Sequence, residues 1–367
     1  MPVPQVCKML AAIRVFIRSE LAQLLTVHKS DRPWQMPFAA AMSSGLPIAV
    51  GAYFDHMSYG LISSLGGIVF LYLPATSLHH RMITLMACSF GLAACYTLGM
   101  LSQLITPLMV PVLAFIAALV TMVCRFYQIG PPGSLFFIMA AAIGAYSPVD
   151  LLQVPQHVGL LTMGCLLAGV IALLYSMHIL RLRAPQPVAP PPPATFDYVV
   201  FEPVVIGAFV GISLALGQAL NLPRPYWVPV SCLAVIQGMS LRAVWNRQVQ
   251  RVAGTIFGLL ISWGLLALPL DRWSIFMMMT SLVFVIETMV TRHYGVAVIF
   301  ITPLTLFLAE AASFGHTSSA ALIQARFIDT ILGCLVGLVG GICLHTPRFR
   351  DVASRQIRRL IPSRMLP

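Results

Sequence analysis

Four charged side chains lie within long apolar stretches of this sequence: Glu202, Glu287, Arg326 and Asp329. An ionised group at the centre of a membrane helix costs ~2.5–3.5 kcal/mol on insertion scales, so we expect each to face a partner or a water-filled cavity. Arg326 and Asp329 are three residues apart, so their side chains can meet on one helix face. They form a neutralised structural pair, or Arg326 binds a substrate carboxylate while Asp329 competes for it and takes a proton.

Glu287 and Arg251 also have two interpretations each. Glu287 lies about one turn before Arg292 and forms either an interfacial ion pair or a proton relay. Arg251 follows Arg242 and Arg247 in a basic segment that we place in a cytoplasmic loop. These arginines are ordinary cytoplasmic charges, or they attract an anion from the cytoplasm.

Aromatic residues begin the apolar segment that precedes these arginines. Tyr226 and Trp227 follow Pro225 in the string "RPYWVP". Amphipathic rings at the start of a span anchor it at the membrane surface. The alternative is a stacking surface for an aromatic substrate.

Small residues follow Arg251 at helical spacing. Gly254 and Gly258 are four residues apart with Thr255 beside them, a pattern that lets two helices approach closely. We assign helix packing to these three residues and to Gly333. No phosphate-binding loop is predicted, because the Lys-Ser/Thr pair of such loops is missing.

The sequence argues against an enzyme. It has no His/Asp/Glu cluster at metal-ligand spacing, no G-x-S-x-G and no nucleotide-binding motif. Its eight cysteines include no C-x-x-C, which argues against a zinc site or a disulfide framework. We therefore expect no metal and no cofactor.

The composition predicts an all-α protein that crosses the lipid bilayer several times. Of the 367 residues, 59% are hydrophobic and 9% are charged, against roughly 25% charged in soluble domains. The mean hydropathy is +0.89. The net charge of +11 is typical of basic cytoplasmic loops, and we do not expect a nucleic-acid partner.

Hydropathy predicts about twelve spans near the ~20-residue length that a bilayer requires. They cover residues 37–54, 59–74, 82–104, 107–124, 134–146, 157–180, 199–220, 226–241, 252–268, 273–290, 294–309 and 322–344.

The loop charges predict the orientation. With both termini in the cytoplasm, every lysine and arginine lies on the cytoplasmic side except Arg224, Arg272 and Arg326. This satisfies the positive-inside rule, whereas the opposite orientation violates it at nearly every loop.

The two halves share a register of 167 residues. Tyr59 matches Tyr226, and Gly91 matches Gly258, as do Arg125 and Arg292. A duplication into two parallel six-helix repeats explains this register. Such repeats are related by an axis along the membrane normal, and their binding sites favour the repeat interface near mid-membrane.

This division sets the expected domains. The proline-rich segment "APPPPA" predicts an extended cytoplasmic spacer, and the first residues predict a basic amphipathic helix on the membrane surface. The domains are an amphipathic segment (1–34), a first repeat (35–180), a linker (181–198), a second repeat (199–345) and a basic tail (346–367).

Two motifs in the second half resemble the fusaric-acid-resistance family of bacterial inner-membrane proteins, which includes aromatic carboxylic acid exporters. The first is "YWVP" followed about 20 residues later by "RQVQRVAGTIFG", and the second is "ARFIDTILGCLVG". The resemblance covers roughly residues 202–344. Longer family members carry a sizeable cytoplasmic domain after each set of spans, where this chain has the linker and the tail.

The resemblance implies a proton-coupled secondary exporter of small organic anions, such as aromatic acids, in the bacterial inner membrane. Arg326, Tyr226, Trp227 and Arg251 are the candidate substrate-binding residues, with the carboxylates at positions 329 and 287 as candidate proton sites. The alternatives are a passive anion channel and a non-transporting component that works with a periplasmic adaptor. A homo-oligomer is a further possibility.

Overall fold

The computed structural model describes residues 26–147, 150–188, 195–268, 271–313 and 319–360. Within these residues every regular element is helical. The first half contributes α1 (Gln35–Tyr53), α2 (Met57–Gly67, continued by the 3-10 helix Ile68–Tyr72), α3 (Leu78–Ser102), α4 (Met109–Phe126), α5 (Leu135–Ala145) and α6 (Val154–Leu182). The second half contributes α7 (Glu202–Ala219, preceded by a π-helical turn Asp197–Phe201), α8 (Trp227–Ile236), α9 (Leu241–Leu266), α10 (Arg272–Met289), α11 (Tyr294–Ser313), α12 (Ser319–His345) and α13 (Pro347–Leu360).

Length and hydropathy distinguish two kinds of apolar helix. Seven helices of the described residues are long and apolar enough to cross a membrane: α3, α4, α6, α7, α9, α10 and α12. Shorter apolar helices are α2, α5, α8 and the described part of α11. The structure therefore describes a multi-span helical membrane protein, and the arrangement of twelve spans stays a prediction.

The short helix α8 lies inside the bundle. Its 10 residues extend about 15 Å, half the ~30 Å hydrocarbon core of a bilayer. All ten of its side chains are buried. A helix that is apolar on every side suits a position surrounded by other helices, and α8 packs against α7, α9 and α12.

Helix contacts follow the same pattern in both halves. Within the first half α3 packs against α5 and α2 against α6, and within the second half α9 packs against α11 and α8 against α12. Across the halves, α4 packs against α7 and α10 packs against α1. The second and fifth helices also meet across the halves, as α5 with α8 and as α2 with α11.

Close helix contacts occur at the small residues of the second half. A Cβ atom on Gly258 would lie 2.6 Å from Cβ of Thr302, and one on Gly254 would lie 2.8 Å from the carbonyl oxygen of Gly295. Both contacts join α9 to α11. A Cβ on Gly333 would overlap the carbonyl oxygen of Val228, so α12 lies directly against the backbone of α8. Thr255 is buried beside the two glycines of α9.

The expected loop at residues 242–251 is helical, which corrects the sequence interpretation. Helix α9 begins at Leu241, where the Ser240 hydroxyl accepts a hydrogen bond from the Ala243 amide at 3.1 Å. Val244 and Gln248 are buried four residues apart, while Arg242 is exposed. A segment rich in polar residues can continue a helix beyond its apolar part when the buried positions recur every four residues, and hydropathy alone does not detect that continuation.

Parts of three expected segments lie outside the described residues. These are residues 1–25 of the amphipathic segment, residues 189–194 of the proline-rich linker and residues 361–367 of the tail. The described residues before α1 contact the second half, because the His28 amide donates to the carbonyl oxygen of Arg292 at 2.8 Å. Thr291 also donates to the Ser30 hydroxyl at 2.9 Å.

Candidate functional site

A cavity of about 930 Å³ lies between the two halves, and we call it the central cavity. Helices of both halves contribute to its wall, and most of the lining side chains are apolar. The charged lining residues within the described part of the chain are five arginines and one glutamate: Arg32, Arg125, Arg247, Arg251, Arg326 and Glu287. A largely apolar cavity with an excess of cations suits an organic anion that carries an apolar body.

Arg326 is a buried cation at the wall of this cavity. It is 4% exposed, and its Cζ lies 4.2 Å from the centroid of the Trp227 ring. Its Nε and Nη1 atoms have no hydrogen-bond partner. Buried guanidinium donors are normally paired, so these two are available to an anion.

Trp227 holds this arginine instead of anchoring the protein in the membrane surface. Its side chain is 3% exposed and lines the central cavity. The guanidinium covers one face of its ring, a cation–π arrangement worth about 0.5–2 kcal/mol. That face is therefore not free to stack against an aromatic substrate.

Asp329 lies one helical turn beyond Arg326 and is fully buried. Both of its carboxylate oxygens lack a hydrogen-bond partner. The expected contact between these two residues is therefore not a hydrogen bond, although their charges interact through the protein. Asp329 is not one of the residues that line the central cavity.

Arg251 is the second buried cation at the cavity. Its Nη1 donates to the Tyr294 hydroxyl at 3.1 Å, and its Nη2 donates to the Ser231 hydroxyl at 3.4 Å. These contacts bring together α9, α11 and α8. Arg251 also lies close enough to Arg326 for the two charges to repel. Two neighbouring buried cations create a strong attraction for an anion.

Sequence reasoning missed Tyr294 and Ser231 as site residues. Tyr294 corresponds to Tyr127 in the 167-residue register, so the register supplied a signal for it. A serine within an apolar helix gave no comparable signal. A further missed group joins the halves at the cavity wall, where the Ser134 hydroxyl accepts hydrogen bonds from Gln237 and Thr121, each at 2.9 Å.

Aromatic residues join the two halves beside the site. The ring centroids of Tyr226 and Tyr146 are 5.9 Å apart, and those of Tyr226 and Trp227 are 5.2 Å apart. Gln218 donates to the Tyr146 hydroxyl at 2.7 Å. Arg224, in the loop before α8, donates to the Tyr226 hydroxyl at 3.4 Å.

Glu287 has a different partner from the expected one. Its carboxylate is 3.6 Å from Nη1 of Arg32, and both residues line the central cavity. The expected partner was Arg292, which is close in sequence. Arg32 precedes α1, so this pair is a contact between distant parts of the chain that sequence spacing does not indicate.

Glu202 is fully engaged in ion pairs and does not line the cavity. It contacts Nη1 of Arg125, and its second oxygen is 3.5 Å from Nη2 of Arg350 on α13. Arg350 is also 3.6 Å from Asp197. These pairs fix α13 to the start of α7, which makes Glu202 a structural residue.

The described residues contain no group of three or more His, Cys, Asp or Glu side chains that could hold a metal ion. Seven cysteines in the described residues are free, and six of them are buried. Nothing in these groups supplies the ligands of a metal centre.

Comparisons with known proteins give two relatives and one family match. An uncharacterized membrane protein, YvaC, of Bacillus subtilis (strain 168) is 23% identical over an alignment of 483 positions, which covers 90% of this chain and 76% of the relative. An uncharacterized protein, YhfK, of Escherichia coli (strain K12) is 26% identical over 139 residues, or 38% of this chain and 19% of the relative. No solved structure matches this chain.

The family match covers the half that contains Arg251 and Arg326. The family described as "Fusaric acid resistance protein-like" matches residues 206–340. That range includes Trp227, Arg251, Arg326 and Asp329. The chain is therefore a helical membrane protein whose second half matches the fusaric acid resistance protein-like family, as its two motifs indicate.

Proposed function

We propose that this protein is a secondary transporter that exports small organic anions, with aromatic carboxylates as the leading candidates. The observation that carries the proposal is that Nε and Nη1 of the buried Arg326 have no hydrogen-bond partner at the wall of a cavity of about 930 Å³. The apolar wall would contact the body of the substrate, while Arg326 and Arg251 would contact its carboxylate. The family match supports a transport role and leaves the substrate open.

Proton coupling is part of this proposal. The two candidate proton carriers are Asp329, one helical turn from Arg326, and Glu287, which pairs with Arg32 at the cavity wall. A neighbouring arginine keeps a carboxylate ionised. When that arginine binds the substrate instead, either carboxylate can take up a proton. Export of toxic acids would confer resistance to them.

We further propose that the two halves are parallel six-helix repeats around the cavity. The equivalent contacts of the two halves support this arrangement, in particular α4 with α7 and α10 with α1. A site between such repeats is reached from each side of the membrane in turn when one repeat moves against the other.

A transport assay tests the function. The purified protein is reconstituted into liposomes that contain one aromatic carboxylate, and entry of the labelled acid is followed against protein-free liposomes. A transporter gives saturable exchange of labelled for unlabelled acid. A passive anion channel instead gives flux that follows the membrane potential, does not saturate and is not accelerated by unlabelled acid on the other side. Absence of both across a panel of aromatic acids supports the third candidate, a component that works with a periplasmic adaptor.

The bacterial inner membrane is the proposed location, with both termini in the cytoplasm. Cysteine labelling tests the orientation, since Ala184 lies in the proposed cytoplasmic linker and Leu152 in a proposed outer loop, and both are exposed. In intact spheroplasts an impermeant maleimide should label the Leu152→Cys variant and not the Ala184→Cys variant. The reverse result would overturn the proposed topology.

A further inference from the structure

Asp329 occupies a cluster in which cations outnumber carboxylates. Its charge interacts with Arg326 on its own helix and with Arg224 in the loop before α8. The charge of Arg251 on α9 and the Tyr226 hydroxyl before α8 also act on Arg326. Among the groups of the described residues that act electrostatically on Arg326, Asp329 is the one carboxylate.

An ionised Asp329 and a bound carboxylate oppose each other in this cluster. Both would be attracted to the guanidinium of Arg326, and both would be negative. Like charges that share one buried cation repel, because little water screens them there. Asp329 has no hydrogen bond that would hold its charge in place, because neither oxygen has a partner. A proton on Asp329 removes the repulsion and leaves Arg326 to the bound anion.

We propose that an organic carboxylate on Arg326 and a proton on Asp329 bind together, each strengthening the binding of the other. This inference rests on the proposed anion transport and adds the sign of the coupling at its site. The proton moves from solvent to a carboxylate oxygen of Asp329, and no covalent bond of the anion changes. Because coupling between two ligands is reciprocal, anion binding draws in the proton to the same degree that the proton tightens the anion.

The linkage fixes the direction of the pH effect. The anion-bound protein holds more protons than the free protein, so affinity rises as pH falls. One linked proton changes the affinity by at most about tenfold per pH unit. Below the pH at which Asp329 of the anion-free protein is already protonated, the affinity no longer changes with pH.

Isothermal titration calorimetry with benzoate tests the inference on the purified full chain. Titrations between pH 6 and 9 give the affinity, and parallel titrations in phosphate and Tris at one pH give the number of protons taken up. In the wild type we expect weaker binding at higher pH and uptake of up to about one proton per anion. Asp329→Asn should bind benzoate with no uptake and no pH dependence, while Asp329→Glu should retain both effects.

Asp55→Asn is the matched control. Asp55 is exposed just after the C-terminal end of α1 and pairs with Arg272, and neither residue lines the cavity. This variant should behave as the wild type does. If the wild type binds benzoate without proton uptake, or if Asp329→Asn keeps the wild-type uptake, the inference is wrong. Loss of uptake in Glu287→Gln with its retention in Asp329→Asn would also overturn it and assign the proton to Glu287.

The outcomes separate this inference from the proposed function. Benzoate binding that is independent of pH rejects the linkage and leaves anion transport standing. No binding and no transport of any acid on the aromatic panel rejects both. If Asp329→Asn fails to fold, Glu287→Gln decides, because it keeps the Asp329 carboxylate and should retain the proton uptake; loss of uptake in Glu287→Gln would reject the inference.

Discussion

Replacement of Arg326 is the sharpest test of the candidate site. Arg326→Ala removes a buried guanidinium that has two donors without partners and that lies 4.2 Å from the Trp227 ring centroid. If Arg326 binds the substrate, the variant loses affinity because its apolar side chain cannot hydrogen bond to a carboxylate. If Arg326 serves only to neutralise Asp329, the variant loses stability because the buried carboxylate has lost its neighbouring cation.

The expected magnitudes separate these two roles. A hydrogen bond from a charged donor contributes about 1.5–3 kcal/mol, so the loss of two such bonds weakens binding by about 3–6 kcal/mol. At 1.4 kcal/mol per factor of ten this is roughly a 10²- to 10⁴-fold loss of affinity. Arg326→Lys retains one donor and the charge, so we expect a loss of roughly 10- to 100-fold. Removing one partner of a buried charged pair costs about 3–5 kcal/mol of stability.

Binding and thermal unfolding are measured on the same purified samples. Benzoate affinity comes from calorimetry, and the melting temperature comes from a scanning assay in detergent. The control is Arg272→Ala, which removes an arginine that pairs with Asp55 and does not line the cavity. A double variant, Arg326→Ala with Asp329→Asn, has no buried charge at either position. If it folds and still binds and transports at the wild-type rate, the role assigned to Arg326 is wrong.

Two further changes test the surroundings of the site. Tyr294→Phe removes the hydroxyl that accepts a hydrogen bond from Arg251 at 3.1 Å, and we expect a loss of benzoate affinity of about fivefold, for about 1 kcal/mol; an unchanged affinity would show that this contact does not position the arginine. Gly258→Ala places a Cβ 2.6 Å from Cβ of Thr302 and should cost about 1–3 kcal/mol of stability, seen as a lower melting temperature. Gly264→Ala on the same helix meets nothing within 4 Å and should leave the melting temperature unchanged or raised; equal losses in the two glycine variants would contradict the packing argument.

The sequence predicted the residues of the site better than their contacts. Arg326 and Asp329 stood out because a charge in an apolar segment is costly, and this signal depends only on the local sequence. Their burial fits that expectation. The partner of Glu287 could not be predicted in the same way, because Arg32 is distant in the chain and only the folded helices bring the two together.

The short helices were the hardest part of the fold to predict. Residues 226–241 are apolar enough to be one full span, yet α8 ends at Ile236 and Gln237 turns toward Ser134 of the other half. A segment that is buried on all sides has no polar face. Its sequence therefore shows no alternation of polar and apolar residues at helical spacing, and no change of pattern marks the residue where the helix ends. The expectation that Trp227 lies at the membrane surface had the same cause. The sequence around an aromatic residue at the start of a span is the same whether lipid or protein surrounds its ring.

The two halves pack alike, but Arg251 and Arg326, the buried arginines of the site, both lie in the second half. In the 167-residue register, Trp227 corresponds to Gly60, where a Cβ would lie 2.7 Å from the carbonyl oxygen of Pro47. A tryptophan cannot fit at that position without moving α1 from α2. Arg326 corresponds to Gly159, so the first half lacks both the guanidinium and the ring that holds it.

This asymmetry limits the buried charge that the bundle must hold. A symmetric pair of buried guanidinium groups would place more uncompensated charge in the bundle, and each such group carries a desolvation cost of several kcal/mol. The first half forms close helix contacts through small residues, as at Gly164, where a Cβ would overlap the carbonyl oxygen of Ser63. If the proposed repeats move against each other, the second half would hold the anion on Arg326 while the first half changes its distance from it. Spectroscopic distances from a label on α5 to one on α8 should then change on addition of benzoate, whereas distances between labels on α8 and α12 should not, because Gly333 keeps those two helices in direct contact.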